Sequence, residues 1–398
     1  MLILLNLLAI VIILLIPYLL SADRKKIKYQ SIAYMLISQV LITLFMFKTT
    51  IGKTIINFIS SIFTALINFG LEGVSFVFGG ITESPFVFFF NVLLIIIFFS
   101  AILGILNFFG ILPWIIRIIG AGVSAITRLP RLESFNASAS MVFGQSEVFL
   151  AIKDHLNDLE KSRLYTISAS AMSSVSASIM GSYMTMVPPQ YVLAAVPLNM
   201  FSGLIIATIL MPSDVKKEDD TIQLKNVQQR GNFFEVLSDS ILDGAKIAVI
   251  VAAMLIGYIA LMAAVNGIIS NVGNAVGFNT SLQELLGFLF APFAILLGIP
   301  IGESVQAGAI MGTKLVLNEF VAMTQLQGVL PNLSERTIGI VSTFLISFAN
   351  FSSIGIIAGS VKALNDRQAK VISEFGFKLL LGATLASLLS AAMVGLFL

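Results

Sequence analysis

The sequence predicts an all-α polytopic membrane protein with eight transmembrane helices, two re-entrant hairpins in an inverted repeat, and additional interfacial helices. Three observations predict this class. Hydrophobic residues make up 57% of the 398-residue chain and charged residues only 11%, whereas a soluble domain carries about 25% charged residues. The apolar residues fall into runs long enough to cross a bilayer. Two further apolar runs are broken by glycine beside a carboxylate. A membrane tolerates such a broken helix where the freed backbone groups face a cavity or a polar ligand.

Eight apolar runs have about the 20-residue length that crosses the hydrocarbon core of a bilayer. The first has neither the basic start nor the cleavage site of a signal peptide, so we interpret it as a retained span. The basic cluster Arg24-Lys25-Lys26-Ile27-Lys28 follows it, and the positive-inside rule therefore predicts a cytoplasmic first loop and an external N-terminus. The runs are residues 1–20, 31–47, 87–111, 165–186, 190–211, 240–268, 337–360 and 376–398.

Three segments between these runs are not predicted to cross the membrane. Residues 48–85 are moderately apolar but interrupted by glycine and glutamate, which favours a helix lying on the outer surface over a crossing. Residues 114–129 place basic residues on one side of an apolar helix, which predicts an interfacial helix on the cytoplasmic side. Residues 213–235 are the only long polar stretch and are interpreted as a cytoplasmic linker between two halves of the chain.

The two halves resemble each other. Each has a span, a glycine-broken segment, a span rich in small residues and a closing span. The first copy enters the membrane from the cytoplasm and the second from outside, so the repeats are inverted, and such repeats place a substrate near the midplane between them. The predicted units are residues 1–111 (N-terminal spans and outer-surface helix), 112–212 (first repeat), 213–235 (linker), 236–270 (sixth span) and 271–398 (second repeat).

The broken segments, at about 134–160 and 282–325, are too short on each side of the break to cross. An arm of about 12–15 residues rises about 20 Å at 1.5 Å per residue, so it reaches the middle of the bilayer and must return. Each segment is therefore predicted to be a re-entrant hairpin.

Polar residues mark the two expected tips. At Gly144-Gln145-Ser146-Glu147 the serine can cap the returning helix, whose positive dipole end favours a carboxylate and polar ligand atoms. The second tip is expected at Gly298-Ile299-Pro300-Ile301-Gly302-Glu303, where the carboxylate opens the next helix. Further along this segment, Asn318 and Glu319 either hold neighbouring helices or touch the ligand.

Several classes of protein are disfavoured. The chain has no Cys and one His, so neither a cofactor nor a bound metal is expected. Lys and Arg are scattered at the ends of apolar runs, which argues against nucleic acid as a partner. We expect no enzyme, because the Ser146 motif lacks the second glycine of a nucleophile elbow. A channel is the other alternative, although asymmetric polar tips suit one organic ligand better than a ring of ion sites.

Four motifs in order resemble the concentrative nucleoside transporter family, in its bacterial NupC-like branch. They are Gly144-Gln145-Ser146-Glu147, the Gly298 to Glu303 motif, Lys314-Leu315-Val316-Leu317-Asn318-Glu319-Phe320-Val321-Ala322, and Ser347-Phe348-Ala349-Asn350-Phe351-Ser352-Ser353-Ile354. The resemblance covers nearly the whole chain. It implies a homotrimeric importer in a bacterial cytoplasmic membrane, whose mobile unit carries nucleosides past a static scaffold made of the first three spans and the sixth. Pyrimidine nucleosides such as uridine are the expected substrates.

The resemblance also implies roles for individual residues. Gln145, Ser146 and Glu147 match positions that bind the nucleobase. Glu303, Asn350 and Ser353 are expected to bind the ribose, with Phe348 beside the ligand and Ile179 lining the base side. The structural alternatives are a helix N-terminal charge for the glutamates and hydrogen bonding between membrane helices for the asparagine and serine.

The coupling ion is expected to be a proton. Sodium-coupled members of the family use an Asn four residues before the hairpin glycine, a serine hydroxyl and backbone carbonyls; the matching positions here are Ser140, Phe143, Ser174 and Val175. Ser140 departs from that pattern, because a hydroxyl is a shorter and weaker ligand than an amide oxygen. Proton coupling needs only a buried carboxylate, for which Glu147 and Glu303 are both candidates. Sodium coupling is the alternative.

Overall fold

A computed structural model describes residues 2–79, 87–215, 232–276 and 280–398 of the chain. Apart from short 3₁₀ and π turns, the described residues fold into α-helices. The helices are α1 (Leu2–Leu19), α2 (Tyr29–Lys48), α3 (Thr50–Phe78), α4 (Ile95–Phe108), α5 (Ile111–Thr127), α6 (Arg131–Ala151), α7 (Lys161–Ser173), α8 (Ala177–Met186), α9 (Pro189–Leu210), α10 (Phe233–Val276), α11 (Leu282–Leu296), α12 (Ile301–Val316), α13 (Glu319–Val329), α14 (Glu335–Leu345), α15 (Phe351–Lys362), α16 (Asp366–Glu374) and α17 (Gly376–Gly395).

The all-helical membrane class is confirmed. Within the described ranges, six continuous helices are long and apolar enough to cross a membrane: α2, α3, the π turn with α4, α9, α10 and α17. Two predicted spans are instead broken in the middle. The run at 165–186 is divided between α7 and α8, and the run at 337–360 between α14 and α15. Both breaks fall where small polar residues, which compete for backbone hydrogen bonds, replace strong helix formers.

Helix α3 occupies the segment that we predicted to lie on the outer surface. Its 29 residues are mostly exposed in this chain, and it has the length and hydropathy of a span. Its surface position therefore stays a prediction. Residues 80–85 of that segment, and residues 216–231 of the predicted linker, lie outside the described ranges.

The two halves have the same order of elements. In the first half, the 17-residue helix α5 leads into the broken segment α6, the broken span α7–α8 and the long buried helix α9. In the second half, the 15-residue helix α11 leads into the broken segment α12–α13, the broken span α14–α15 and the long buried helix α17. Helix α16 is inserted before α17. This order aligns the kink at Gly144 with the break at Leu317–Asn318, not with the break around Gly298.

Buried hydrogen bonds hold the centre of the bundle. Helices α9 and α17 pack together, and their Ser202 and Ser390 hydroxyls lie 2.9 Å apart. From α2, Gln39 Nε2 donates to Ser202 Oγ at 2.7 Å, and from α1, Asn6 Nδ2 donates to the Gly395 carbonyl at 2.8 Å. Polar side chains of this kind bind membrane helices to one another. Helices α1 and α2 therefore belong with α9 and α17, whereas α4 and α10 pack along each other.

Candidate functional site

Three helix breaks meet at one place in the fold. The backbone N–H of Phe348, in the α14–α15 break, donates to the Ser174 carbonyl, in the α7–α8 break, at 3.1 Å. A Cβ atom on Gly144, at the kink of α6, would lie 2.9 Å from Ser176 Cβ and 3.6 Å from a ring carbon of Phe348. The kink of α6 and the breaks of both spans therefore converge.

Glycine is needed at the first tip because of its backbone conformation. Gly144 has φ 78° and ψ −173°, inside an otherwise helical segment. Residues with a Cβ essentially never adopt this combination. The chain turns there, between an arm that begins at Arg131 and a short arm that ends at Ala151.

Polar side chains at the first tip have unused hydrogen-bonding capacity. Gln145 is buried, and its Oε1 atom has no hydrogen-bond partner. Ser146 is half-buried and Glu147 is exposed. Among the described residues we find no hydrogen bond from the Ser146 hydroxyl, so the predicted cap is not formed. An orphaned buried acceptor is costly, which makes Gln145 a ready partner for an N–H donor of a ligand. Ile179 lies buried three residues after the α7–α8 break.

The second polar centre is built around Glu319, at the break between α12 and α13. Asn318 caps α13 by accepting a hydrogen bond from the Val321 N–H at 3.0 Å. The buried Glu319 carboxylate accepts from Tyr183 Oη at 2.8 Å and from Asn350 Nδ2 at 3.2 Å. Tyr183 comes from the first half of the chain and Asn350 from the second, so this carboxylate joins the two repeats.

Asn350 is the N-cap of α15. Its Oδ1 accepts from the backbone N–H of Ser353 at 3.0 Å, from the Ser353 hydroxyl at 3.1 Å and from the Ser352 hydroxyl at 2.7 Å. Phe348, Asn350 and Ser353 are all buried. The structure thus brings three of the predicted site residues together beside Glu319.

Glu303 lies apart from this cluster, contrary to its predicted place. Its carboxylate accepts from the backbone N–H of Ser334 at 3.1 Å and from the Ser334 hydroxyl at 2.9 Å. Ser334 caps the start of the 11-residue helix α14, and Asn350 follows its end. At 1.5 Å per residue the two ends of α14 are about 16 Å apart.

The break around Gly298 bends the chain by 119° between α11 and α12, as a broken span or a re-entrant loop does. Its neighbours are not those of the cluster around Asn350: Arg336 Nε donates to the Gly298 carbonyl at 2.8 Å. Asn6, near the start of α1, and Gly395, at the end of α17, are its other neighbours. These neighbours belong to α1, α14 and α17, whereas Glu319, at the Leu317–Asn318 break, is hydrogen-bonded to Asn350 in the α14–α15 break. The break of this segment that joins the polar cluster is therefore Leu317–Asn318.

Sequence reasoning weighed Glu319 but did not choose it. The available signal was the likeness of Asn318-Glu319 to Gln145-Ser146-Glu147: an amide and a carboxylate, each at the start of a helix that follows an apolar arm. The glycine and proline of the earlier motif were the stronger local signal for a break.

The four positions of the predicted coupling-ion region lie beside the kink of α6 and in the α7–α8 break. Ser140 Oγ donates to the Asn136 carbonyl at 2.7 Å, and Ser174 Oγ donates to the Ala171 carbonyl at 2.9 Å. Phe143 and Val175 have apolar side chains, so only their backbone carbonyls could bind an ion. In the part of the chain that the structure describes, no group of three or more His, Cys, Asp or Glu residues could hold a metal ion.

Comparison with known proteins identifies the family. The model "Na+ dependent nucleoside transporter C-terminus" matches residues 191–395, the corresponding N-terminal model matches residues 8–81, and the model "Nucleoside recognition" matches residues 89–190. The purine nucleoside transport protein NupG of Bacillus subtilis is 41% identical over 99% of both chains. The chain belongs to the concentrative nucleoside transporter family.

Other transporters of this family support the assignment. The nucleoside permease NupC of Helicobacter pylori is 30% identical, over 97% of this chain and 96% of its own. The structure of CNTnw in an inward-facing substrate-bound state superposes with a TM-score of 0.93 at 31% identity, covering 100% of this chain and 98% of that one. A doubly substituted CNTnw in an outward-facing state gives 0.95 at the same identity and coverage. The protein is thus a multi-pass membrane transporter and not an enzyme.

Proposed function

We propose that this nucleoside transporter is an ion-coupled importer whose binding site is the junction of the three helix breaks. The observation that carries the proposal is the pairing of two polar centres there. Gln145 has an unpaired buried oxygen on one side, and the hydrogen-bonded pair of Glu319 and Asn350 lies on the other. A nucleoside needs two half-sites of this kind, one for the base and one for the sugar.

The ribose half-site consists of Glu319, Asn350 and Ser353. Ribose hydroxyls donate and accept hydrogen bonds, and a carboxylate, an amide and a hydroxyl can pair with both functions in a dry site. The present hydrogen bonds among these side chains orient them. Ribose hydroxyls can donate to the lone pairs that the Glu319 carboxylate keeps free and accept from the second N–H of the Asn350 amide. Glu319 takes the place that we predicted for Glu303, because its carboxylate lies beside Asn350.

The base half-site consists of Gln145, Ser146 and Glu147, with Phe348 and Ile179 as apolar neighbours. Amide, hydroxyl and carboxylate groups can match the polar edge of either a pyrimidine or a purine. The sequence analysis expected pyrimidine nucleosides such as uridine. The similar Bacillus subtilis protein is named a purine nucleoside transport protein, so purine nucleosides are the second candidate substrates.

We propose that the coupling ion is a proton. Ser140 places a hydroxyl where sodium-coupled members have an asparagine amide, and Phe143 and Val175 could contribute only backbone carbonyls. A hard cation prefers several oxygen ligands, and a hydroxyl is a weaker one than an amide oxygen. Of the two predicted proton carriers, Glu147 is exposed at the tip with no hydrogen-bond partner among the described residues, whereas the half-buried Glu303 is bound to Ser334; Glu147 is therefore the candidate that is free to exchange a proton.

Transport is proposed to occur by an elevator-type motion in a homotrimer. The two half-sites share one unit built from α6–α9 and α12–α17, and that unit would move against α4 and α10. Helices α1 and α2 would travel with it, because Asn6 and Gln39 bond them to its long helices; this differs from the scaffold that the resemblance implied. The location is the cytoplasmic membrane of a bacterium, with the N-terminus outside.

The test is uptake of labelled uridine and adenosine into proteoliposomes, with competition by nucleosides and bare nucleobases. We expect accumulation against a gradient, inhibition by nucleosides and little inhibition by uracil or adenine, since the bases lack the ribose. Flux that never exceeds equilibrium would indicate a channel. Equal competition by bases and nucleosides would refute the ribose half-site.

A further inference from the structure

Lys314 is a fully buried lysine that the proposed site does not use. It lies on α12, three residues before Leu317, and none of its surface is exposed. Its ammonium donates to the Phe344 carbonyl at 2.5 Å, to Ser347 Oγ at 2.6 Å and to Ser387 Oγ at 3.2 Å. An ammonium has three donors, so Lys314 is saturated by three neutral oxygens from two other elements.

The hydrogen bond from Lys314 to the Phe344 carbonyl caps the C-terminal end of α14. Phe344 belongs to the last turn of α14, whose final four carbonyls have no partner within the helix. Inside a bilayer there is no water to satisfy them. A cation at a helix C-terminus also interacts favourably with the helix dipole, and the ammonium lies 4.3 Å from the centroid of the Phe344 ring. Lys314 therefore acts as the C-terminal cap of α14 and holds the start of the following break.

That break carries the sugar side of the site. Ser347, which Lys314 binds, is next to Phe348 and three residues from Asn350. Glu319, five residues after Lys314 and on the other side of the Leu317–Asn318 break, binds Asn350 through its carboxylate. Two buried charged side chains, one on each side of this break, therefore hold the same α14–α15 segment.

The first half of the chain has no such cation. Three residues before its own tip, at Gly144, stands Met141, and the end of α7 is closed by Ser174 bonding to the Ala171 carbonyl. The two repeats thus differ in charge at equivalent positions. The lysine belongs to the ribose side alone.

We propose that Lys314 is a positioning residue for the ribose half-site: it caps α14 and fixes the break that carries Phe348 and Asn350. The inference rests on the proposed function. It goes beyond that function by assigning selectivity for the sugar to a residue that does not touch the substrate.

The experiment compares binding of uridine and adenosine with binding of their 2′,3′-dideoxy analogues to purified protein. The ratio of the two dissociation constants measures recognition of the sugar. Lys314→Met has a similar length but no donor, and we expect it to lower this ratio by about tenfold, the effect of losing a charged hydrogen bond that fixes a partner. Discrimination between uridine and adenosine should be unchanged, because the base side is held by other residues.

Two further variants complete the design. Ser347→Ala removes one acceptor with little change of volume and should lower the ratio in the same direction, even if Lys314→Met fails to fold. Lys246→Met, an exposed lysine on α10 paired with Asp243 at 2.9 Å, is the matched control and should keep the wild-type ratio.

The possible outcomes distinguish a failure of this inference from a failure of the proposed function. A wild-type protein that binds and transports neither nucleoside overturns the proposed function and the inference with it. A wild-type protein that binds nucleosides, together with an unchanged ratio in folded Lys314→Met, overturns the inference alone. If Lys314→Met does not fold, an unchanged ratio in Ser347→Ala overturns it. A ratio that falls equally in Lys246→Met would show a non-specific effect and would also reject the assignment.

Discussion

The backbone N–H of Phe348 donates a hydrogen bond to the carbonyl of Ser174, at 3.1 Å. Each residue lies in the break of a span, one in each half of the chain, where backbone groups have lost their helical partners. Because the two breaks pair with each other, fewer of their backbone groups are left without a hydrogen bond in the membrane interior, where an unpaired group is costly. This bond also places the Phe348 ring against Gly144. Changes at the junction should therefore affect transport more than assembly.

Gly144→Ala tests the geometry of the first tip. Alanine strongly disfavours the φ of 78° and ψ of −173° found there, and its Cβ would lie 2.9 Å from Ser176 Cβ. We expect about a fivefold or greater loss of nucleoside uptake, since this strain costs of order 1–3 kcal/mol. Gly122→Ala on α5, where a Cβ meets nothing within 4 Å, should transport normally. Normal uptake by folded Gly144→Ala would mean that the tip does not form part of the site.

Glu319→Gln and Glu303→Gln form a matched pair that tests the ribose assignment. Hydrogen bonds to charged groups contribute about 1.5–3 kcal/mol, so replacing the carboxylate that binds ribose should weaken nucleoside binding about tenfold or more. We expect that loss for Glu319→Gln and a smaller one for Glu303→Gln, whose carboxylate is bound to Ser334. Binding titrations on the purified variants measure both. The reverse order would restore Glu303 as the ribose ligand.

Uptake under imposed gradients identifies the coupling ion. In proteoliposomes with sodium replaced by choline, an inward proton gradient should drive nucleoside accumulation, because Ser140 replaces the asparagine amide oxygen of the sodium-coupled members. A sodium gradient at symmetric pH should drive none. Accumulation under the sodium gradient only would establish the sodium-coupled alternative. Adding a protonophore to the first condition is the control, and it should abolish accumulation.

Crosslinking tests the proposed motion, since the chain contains no Cys. Ser182 on α8 donates to the Val92 carbonyl, beside α4, at 2.7 Å. A short thiol crosslink in Val92→Cys/Ser182→Cys joins the moving unit to the static one and should stop uptake. Ser202→Cys/Ser390→Cys joins α9 to α17 within the moving unit, where the parent hydroxyls are 2.9 Å apart, and should not. Full uptake in completely crosslinked Val92→Cys/Ser182→Cys would exclude movement at this contact.

Features that depend on local chemistry could be predicted from the sequence. The membrane class follows from composition and run length. The first tip follows from Gly144, because glycine tolerates a conformation closed to other residues, and a kink at that position needs no distant partner. The N-caps Asn318 and Asn350 likewise bind backbone groups three residues away. The breaks inside the runs at 165–186 and 337–360, which we predicted as full crossings, have a local signal as well, because small polar residues interrupt the apolar sequence there.

Only the tertiary structure decided which of the two breaks in the second half lies beside the polar cluster. The segment from 282 to 329 contains two breaks, and local signals favour the one at Gly298, where glycine and proline are present. The packing of α12 against α14 instead puts Leu317–Asn318 beside Asn350 and leaves Glu303 at Ser334. The hydrogen bonds of Glu319 to Tyr183 and of Lys314 to Ser387 join residues 136 and 73 positions apart. No local pattern specifies such pairs: the first forms only when the two halves fold against each other, and the second only when distant helices of the second half pack together.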